Sequence, residues 1–263
     1  MTDQATGQDK PLPLAGRTAL VTGGAIRTGR TIAMQLAAAG ADLLIHYHQS
    51  TEQAEQTAND CRGLGIKAEI VSADLGEPER AGEIIRAAVD SYGLMIDILI
   101  NNVGNYPNSS PLGLAPNEFG DLLNTNLIAP YALIQALLPQ LSGVQEADII
   151  NLGYSGAEHP VANHHAMAYQ ISKTGLLILT RTLAQQLGTD NIRVNMVSPG
   201  QLDNSVDLPE SLEDHIPLGY AGSESDIAET IEFLLTRGRY INGGNIDVGG
   251  GYRMGLARRL ESD

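Results

Sequence analysis

Short apolar runs alternate with amphipathic stretches along most of the chain. Strands are predicted near residues 18–22, 42–47, 67–72, 96–101, 148–152, 192–198 and 245–248. Between them the apolar positions recur at helical spacing, near 29–39, 51–64, 77–92, 117–141, 166–187 and 224–235. Strands that alternate with helices predict crossover units and an α/β fold: a single-domain, doubly wound parallel sheet of about seven strands with helices on both faces. The expected domain covers residues 16–252, with a flexible leader at 1–15 and a tail at 253–263. The one long stretch without periodicity, 201–222, reads as a lid, a binding loop or a disordered segment.

Composition narrows the function. The 263 residues carry 31 acidic and 16 basic side chains, a formal charge of -15, which speaks against an electrostatic grip on nucleic acid or an anionic membrane. Cys61 is the sole cysteine, so neither an internal disulfide nor a thiolate metal cluster is available. The N-terminal MTDQATGQDK lacks the basic and apolar parts of a signal peptide, and no apolar run reaches the ~18 residues a membrane span needs. A cytoplasmic protein is expected.

Two motifs carry chemistry. Tyr169 and Lys173 in AYQISK lie four residues apart on a predicted helix, which puts a phenol and an ammonium one turn apart on one face. Using a phenol of pKa ~10 for proton transfer near pH ~7 requires about 4 kcal/mol of phenolate stabilisation, and a neighbouring cation is the obvious source. The second motif is TGGAIRTGR at the end of the first strand. Gly23 and Gly29 would let the chain turn tightly and bring backbone N–H groups to a pyrophosphate at a helix N-terminus. Arg27 stands where a third glycine would be, so the spacing is not the standard dinucleotide fingerprint, and an ordinary glycine-rich turn would read the same way.

These segments, together with ADL at 73–75, INNVG at 100–104, TNL at 125–127 and VSPG at 197–200, resemble the short-chain dehydrogenase/reductase superfamily in order and spacing, from about Ala15 to Tyr252. Arg27 and the HYHQS segment look most like its pteridine-reductase branch. The resemblance implies a Rossmann-type sheet and a homo-oligomer, tetrameric or dimeric. It places Asp74 and Leu75 at adenine, and Asn101 and Gly104 along the cofactor cleft. Asn126 would join the catalytic group through a water, Tyr169 would be the acid/base, and Lys173 would hold the nicotinamide ribose. The Pro199–Gly200 turn, with Leu202 after it, would pass over the nicotinamide.

Two departures from the family pattern stand out. The usual serine thirteen residues before the tyrosine is Gly156 here, which leaves Ser155, flanked by Tyr154, as the expected group to orient a substrate carbonyl. Asn204 takes the place of a threonine that commonly bonds the carboxamide, and its amide can make the same bond.

For cofactor choice, the second strand ends in Tyr47, His48, Gln49 and Ser50 instead of the acidic residue that binds a bare ribose diol. With Arg27 and His48 able to attract a 2′-phosphate, NADP(H) is favoured and NAD(H) remains open. All six histidines, His46, His48, His159, His164, His165 and His215, fall near the expected cleft. A metal site from Glu158, His159, His164 and His165 is set aside, because its spacing matches no zinc pattern.

The sequence therefore reads as an NAD(P)-dependent oxidoreductase that moves a hydride between nicotinamide and a carbonyl or imine substrate, with a pterin among the candidates. The rival reading is a dinucleotide-sensing protein that kept the cleft and lost the chemistry.

Overall fold

Seven strands form one all-parallel sheet, in the spatial order 68–72 (β3), 42–47 (β2), 18–21 (β1), 98–101 (β4), 147–152 (β5), 192–199 (β6) and 245–248 (β7). The computed structural model describes residues 11–107, 109–110, 112–205, 208, 211 and 216–251. In chain order the elements are β1 (Thr18–Val21), α1 (Arg27–Ala38), β2 (Asp42–Tyr47), α2 (Thr51–Arg62), β3 (Ala68–Ser72), α3 (Pro78–Tyr92), β4 (Ile98–Asn101) and α4 (Pro116–Leu123). There follow a π-helical turn (Asn124–Ile128), α5 (Ala129–Leu141), β5 (Ala147–Leu152), α6 (Met167–Leu187), β6 (Ile192–Pro199), α7 (Glu224–Thr236) and β7 (Asn245–Val248).

The central strands are covered on both faces, which is why their sequences are nearly continuous apolar runs. On one face Ile32 and Leu36 of α1, Ala58 and Cys61 of α2, and Ile227, Ile231 and Leu234 of α7 pack against Val21, Ile45 and Ile100. On the other, Ile85 and Val89 of α3, Leu133 and Leu137 of α5, and Leu183 and Leu187 of α6 pack against Leu20, Leu99 and Ile149. Each buried side chain of this size contributes about 1.5–3 kcal/mol.

At the N-terminal ends of the strands the buried Asp148 carboxylate takes Arg17 at 2.9 Å, Arg193 at 2.6 Å and Arg239 at 3.2 Å, tying β1, β5 and β6 to the end of α7. The opposite end is left for the site. The strand order reverses direction between β1 and β4, and a crevice opens there at the strands' carboxyl ends.

Three differences from the sequence reading have physical causes. The predicted helix 117–141 is α4 and α5 joined by the π turn, a wider turn that places Asn126 inside the protein. Part of the expected leader is ordered, since Leu14 is buried and its N–H bonds the Ala39 carbonyl at 2.9 Å. Residues 1–10 and 252–263, the rest of the leader and the tail, lie outside the described residues, as does His215. The base of the 201–222 segment is built, with Leu202 bridged to Gly222 and the Asp203 N–H on the Gly222 carbonyl at 2.8 Å.

Candidate active site

The glycine-rich turn lies between β1 and α1. Gly23 has φ +61, and a Cβ there would stand 2.8 Å from the Val103 side chain. Gly29 is constrained more tightly still, because a Cβ would come within 2.0 Å of the Gly23 carbonyl. Arg27 adopts the left-handed region at φ +51, the conformation a glycine would take without cost. Its guanidinium donates to the Asn204 carbonyl at 2.7 Å, so it links the turn to the 201–222 segment and is not directed at the end of β2.

At the end of β4 two adjacent asparagines make different bonds. Asn101 is buried and donates to Asn151 Oδ1 at 2.8 Å, and Asn151 in turn reaches Thr180 of α6. Successive side chains on a strand point to opposite faces, so Asn102 is the one beside the glycine turn. Its backbone N–H bonds Thr22 Oγ1 at 2.8 Å and its side chain bonds the Thr22 carbonyl at 2.9 Å. Thr22 and Asn102 were read only as members of their motifs, and His46, whose ring meets the Gly23 N–H, only as one of six histidines near the cleft. The signal available was a polar residue interrupting each apolar run.

The adenosine end of the cleft is lined by Gly23, His46, His48, Ser50, Asp74 and Leu75, among others. The Asp74 carboxylate accepts from the Gly76 N–H at 2.8 Å and lies 3.7 Å from His48 Nε2. The β2 end itself is free of acids, as read from the sequence, yet β3 brings one to the same pocket wall.

Asn126 is entirely buried by the π turn. Its Oδ1 accepts from the Asn105 N–H at 2.8 Å, and its Nδ2 donates to the Asn105 carbonyl at 2.9 Å and to Ser172 Oγ at 3.1 Å. This two-sided bond fixes the loop after β4 against α6. Gly104 sits directly before that loop, where a Cβ would stand 2.9 Å from Lys173 Nζ.

Lys173 is nearly fully buried, donates from Nζ to the Leu152 carbonyl at 2.8 Å, and lies 5.9 Å from the Tyr169 ring centroid. Burial lowers its pKa to about 8. Part of the Tyr169 ring reaches solvent, but burial and the neighbouring Tyr106 and Tyr154 raise the phenol above its ordinary value. Desolvation is the largest effect on both groups and pushes each toward its neutral form.

Tyr169 sits between two rings. Tyr106 meets it edge-on with centroids 4.9 Å apart, and Tyr154 does so at 5.8 Å. Tyr106, in a loop without periodicity, gave no signal in the sequence. The buried Tyr154 hydroxyl faces Gln170 and Thr174 of α6. Ser155, also buried, gives its N–H to the Pro199 carbonyl at 2.7 Å, and its Oγ would stand 2.6 Å from a Cβ at Gly249.

At the turn after β6, the Gly200 N–H bonds the Val248 carbonyl at 3.0 Å, and a Cβ on Gly200 would come within 2.6 Å of Gly249. The Asn204 amide, expected to be open for a carboxamide, donates to Glu224, which also takes Thr31 Oγ1 at 2.8 Å. The carboxylate competes for the amide because a bond to a charged acceptor is the stronger one.

These placements put a glycine turn, Tyr169 with Lys173 and a buried asparagine around one crevice at the β1/β4 switch. A family model described as Enoyl-(Acyl carrier protein) reductase matches residues 25–253. The chain belongs to the short-chain dehydrogenase/reductase superfamily. Within the superfamily it is 31% identical to the 3-oxoacyl-acyl-carrier-protein reductase FabG of Staphylococcus epidermidis over 245 residues, covering 90% of this chain and 99% of that protein. Among solved structures it resembles a short-chain dehydrogenase from Burkholderia cenocepacia in complex with NADP. That match has a TM-score of 0.84 and 31% identity, covering 91% of this chain and 98% of the other. The angucycline C-6 ketoreductase LanV with bound NADP matches with a TM-score of 0.81 and 31% identity, over 91% and 96% of the two chains. The superfamily member described here is an NAD(P)-dependent oxidoreductase of the short-chain reductase type.

Among the described residues no group of three His, Cys, Asp or Glu side chains is placed to hold a metal, and Glu158 pairs with Arg181 at 2.5 Å. No helix among them is long and apolar enough to cross a membrane.

Proposed function

We propose that this enzyme reduces a carbonyl or imine carbon with NADPH, with Tyr169 delivering the proton. The observation that carries the reading is the joint placement of Tyr169, Lys173 and Asn126 on the crevice opposite the glycine turn. The cleft suits a dinucleotide: Gly23 and Gly29 pack too closely on Val103 and the Gly23 carbonyl to admit a Cβ, which keeps the turn before α1 tight where a pyrophosphate would meet its backbone. NADPH supplies the hydride when bound.

The residues divide the remaining work. Lys173, held by the Leu152 carbonyl, is directed at the ribose and the phenol. Its cation and that of the oxidised nicotinamide would supply the stabilisation that Tyr169 lacks in the protein alone. Asn126 holds the Asn105 loop, and with it the water that would reach Lys173. Ser155 orients the substrate oxygen: its backbone is tied to Pro199, at the turn expected over the nicotinamide, whereas the Tyr154 hydroxyl is directed at α6. Tyr106 packs edge-on beside Tyr169.

NADPH is preferred because Tyr47, His48, Gln49 and Ser50 leave the end of β2 without a carboxylate. His48 and Ser50 are the phosphate partners on the cleft wall, and the relatives solved with NADP support the same choice. The substrate is a small carbonyl compound, with a 3-oxoacyl thioester, a ketone, a sugar or a pterin as the classes to try. Exposed Ile171 and Ile178 beside an apolar hollow on α6 favour a homo-oligomer, and the likeness to bacterial FabG reductases favours the cytoplasm. A panel of these carbonyl classes, scanned with NADPH and NADH by absorbance, tests the reading. No turnover with any class would favour the dinucleotide-sensing alternative.

A further inference from the structure

His46 lies at the carboxyl end of β2, in register with Val71 of β3, and only 1% of its surface is exposed. Its two ring nitrogens meet backbone groups of different kinds. Nδ1 is 3.1 Å from the Gly23 N–H, and Nε2 is 3.0 Å from the Ala73 carbonyl. An amide N–H can only donate and a carbonyl can only accept, so Nδ1 carries the lone pair and Nε2 the proton. The ring is therefore neutral and in one tautomer. Its own carbonyl takes the Gly24 N–H at 3.0 Å, so Gly23 and Gly24 are both docked on this residue.

The three segments joined in this way are the walls of one cleft. The glycine turn contributes Gly23, the end of β2 contributes His48 and Ser50, and Ala73 leads directly into Asp74 and Leu75. We infer that His46 is a positioning residue for the dinucleotide, a neutral clamp that holds the three backbone segments of the adenosine pocket in register and so sets cofactor affinity. The inference rests on the NADPH reading above.

The geometry has a consequence for acid. Burial lowers the ring's pKa to about 4, opposed by the Ala73 bond and by the Asp74 charge and reinforced by His48. A second ring proton would set Nδ1–H against the Gly23 N–H, donor to donor, and would detach the turn. The same turn must keep φ +61 at Gly23 for α1 to begin where it does.

The test is a set of substitutions that separate the two bonds. His46→Leu removes both. His46→Asn offers an oxygen near the place of Nδ1 and restores the Gly23 bond alone, while His46→Gln offers an amide near the place of Nε2 and restores the Ala73 bond alone. NADPH dissociation constants come from calorimetry, and kcat is measured at saturating NADPH with the best carbonyl substrate.

His46→Leu should weaken NADPH binding at least ~10-fold, the scale of one lost hydrogen bond of good geometry, with kcat within about threefold of wild type. His46→Asn should recover most of the affinity, because it holds the glycine turn. A merely structural role would lower the melting temperature in all three variants and leave the affinity of the folded fraction unchanged, which would overturn the inference. If His46→Leu does not fold, equal and wild-type affinities in the Asn and Gln variants overturn it just as well. Failure of the unmodified protein to bind NADPH would instead overturn the functional reading, and the His46 inference with it.

Discussion

Lys173 follows Tyr169 by one helical turn, yet its ammonium bonds the Leu152 carbonyl at 2.8 Å and stands 5.9 Å from the tyrosine ring centroid. The pair is thus assembled but not charged in the protein's own favour. Burial opposes the phenolate and the ammonium alike, lifting Tyr169 and lowering Lys173 to about 8. With a pKa of about 8, Lys173 keeps most of its charge near pH ~7, and the rest of the phenolate's stabilisation would come from the nicotinamide once it is oxidised.

That cost should be visible in stability. The unfolded lysine takes its proton at about 10.5 and the folded one only at about 8, so the penalty is absent above the first value and complete below the second. Its full size is of order 3 kcal/mol, partly offset by the bond to Leu152. Lys173→Met should therefore raise the melting temperature of the cofactor-free protein by a few degrees at pH ~7 while abolishing turnover. The gain should shrink as pH rises toward ~10. Thermal scans at the two pH values check it, and a destabilised Lys173→Met at neutral pH would show that the Leu152 bond outweighs the desolvation.

Ser155 and Tyr154 can be separated kinetically. Ser155→Ala should lower kcat/KM by ~10²-fold, the worth of an oxyanion-type donor. Tyr154→Phe keeps the ring on Tyr169 and should cost little. Tyr154→Ala, which removes a ring 5.8 Å from that of Tyr169, should cost more than Tyr154→Phe. The reverse ranking of Ser155→Ala and Tyr154→Phe would move the carbonyl-orienting role to Tyr154.

Much of this was legible in the chain, for identifiable reasons. A sheet buried on both faces writes itself as apolar runs, so all seven strands were predicted within two residues of each observed end. The glycine turn was visible because Gly23 and Gly29 tolerate no Cβ. What was hidden depends on neighbours remote in sequence. Arg27 meets Asn204 across 177 positions, and no local pattern records that bond. Asn101 and Asn102 are adjacent and chemically identical, so only the strand's pleat decides which one faces the turn. The helix 117–141 kept its apolar rhythm across the π turn, which hid the break at Asn126.

Cofactor choice should respond to charge at the end of β2. A carboxylate at position 47 would repel a 2′-phosphate and hydrogen-bond a bare ribose diol. Tyr47→Asp should shift the NADPH/NADH ratio of kcat/KM toward NADH by ~10-fold or more, about 1.4 kcal/mol. Asp74→Ala, by freeing His48 from the carboxylate 3.7 Å away, should shift the same ratio toward NADPH. Steady-state kinetics with both cofactors decide it. A wild-type enzyme that already prefers NADH tenfold would sink the phosphate reading of His48 while leaving the reductase assignment intact.

The central claim is that Tyr169 delivers the proton, and the comparison of wild type with Tyr169→Phe tests it most directly. NADPH affinity is read by calorimetry, and NADPH oxidation is followed by absorbance with the best carbonyl substrate. The variant keeps the ring between Tyr106 and Tyr154 and loses only the hydroxyl, so NADPH affinity should stay within about twofold while kcat falls by at least ~100-fold. A Tyr169→Phe enzyme that binds NADPH normally and retains half of the wild-type kcat would contradict the account, because the proton would then come from another group.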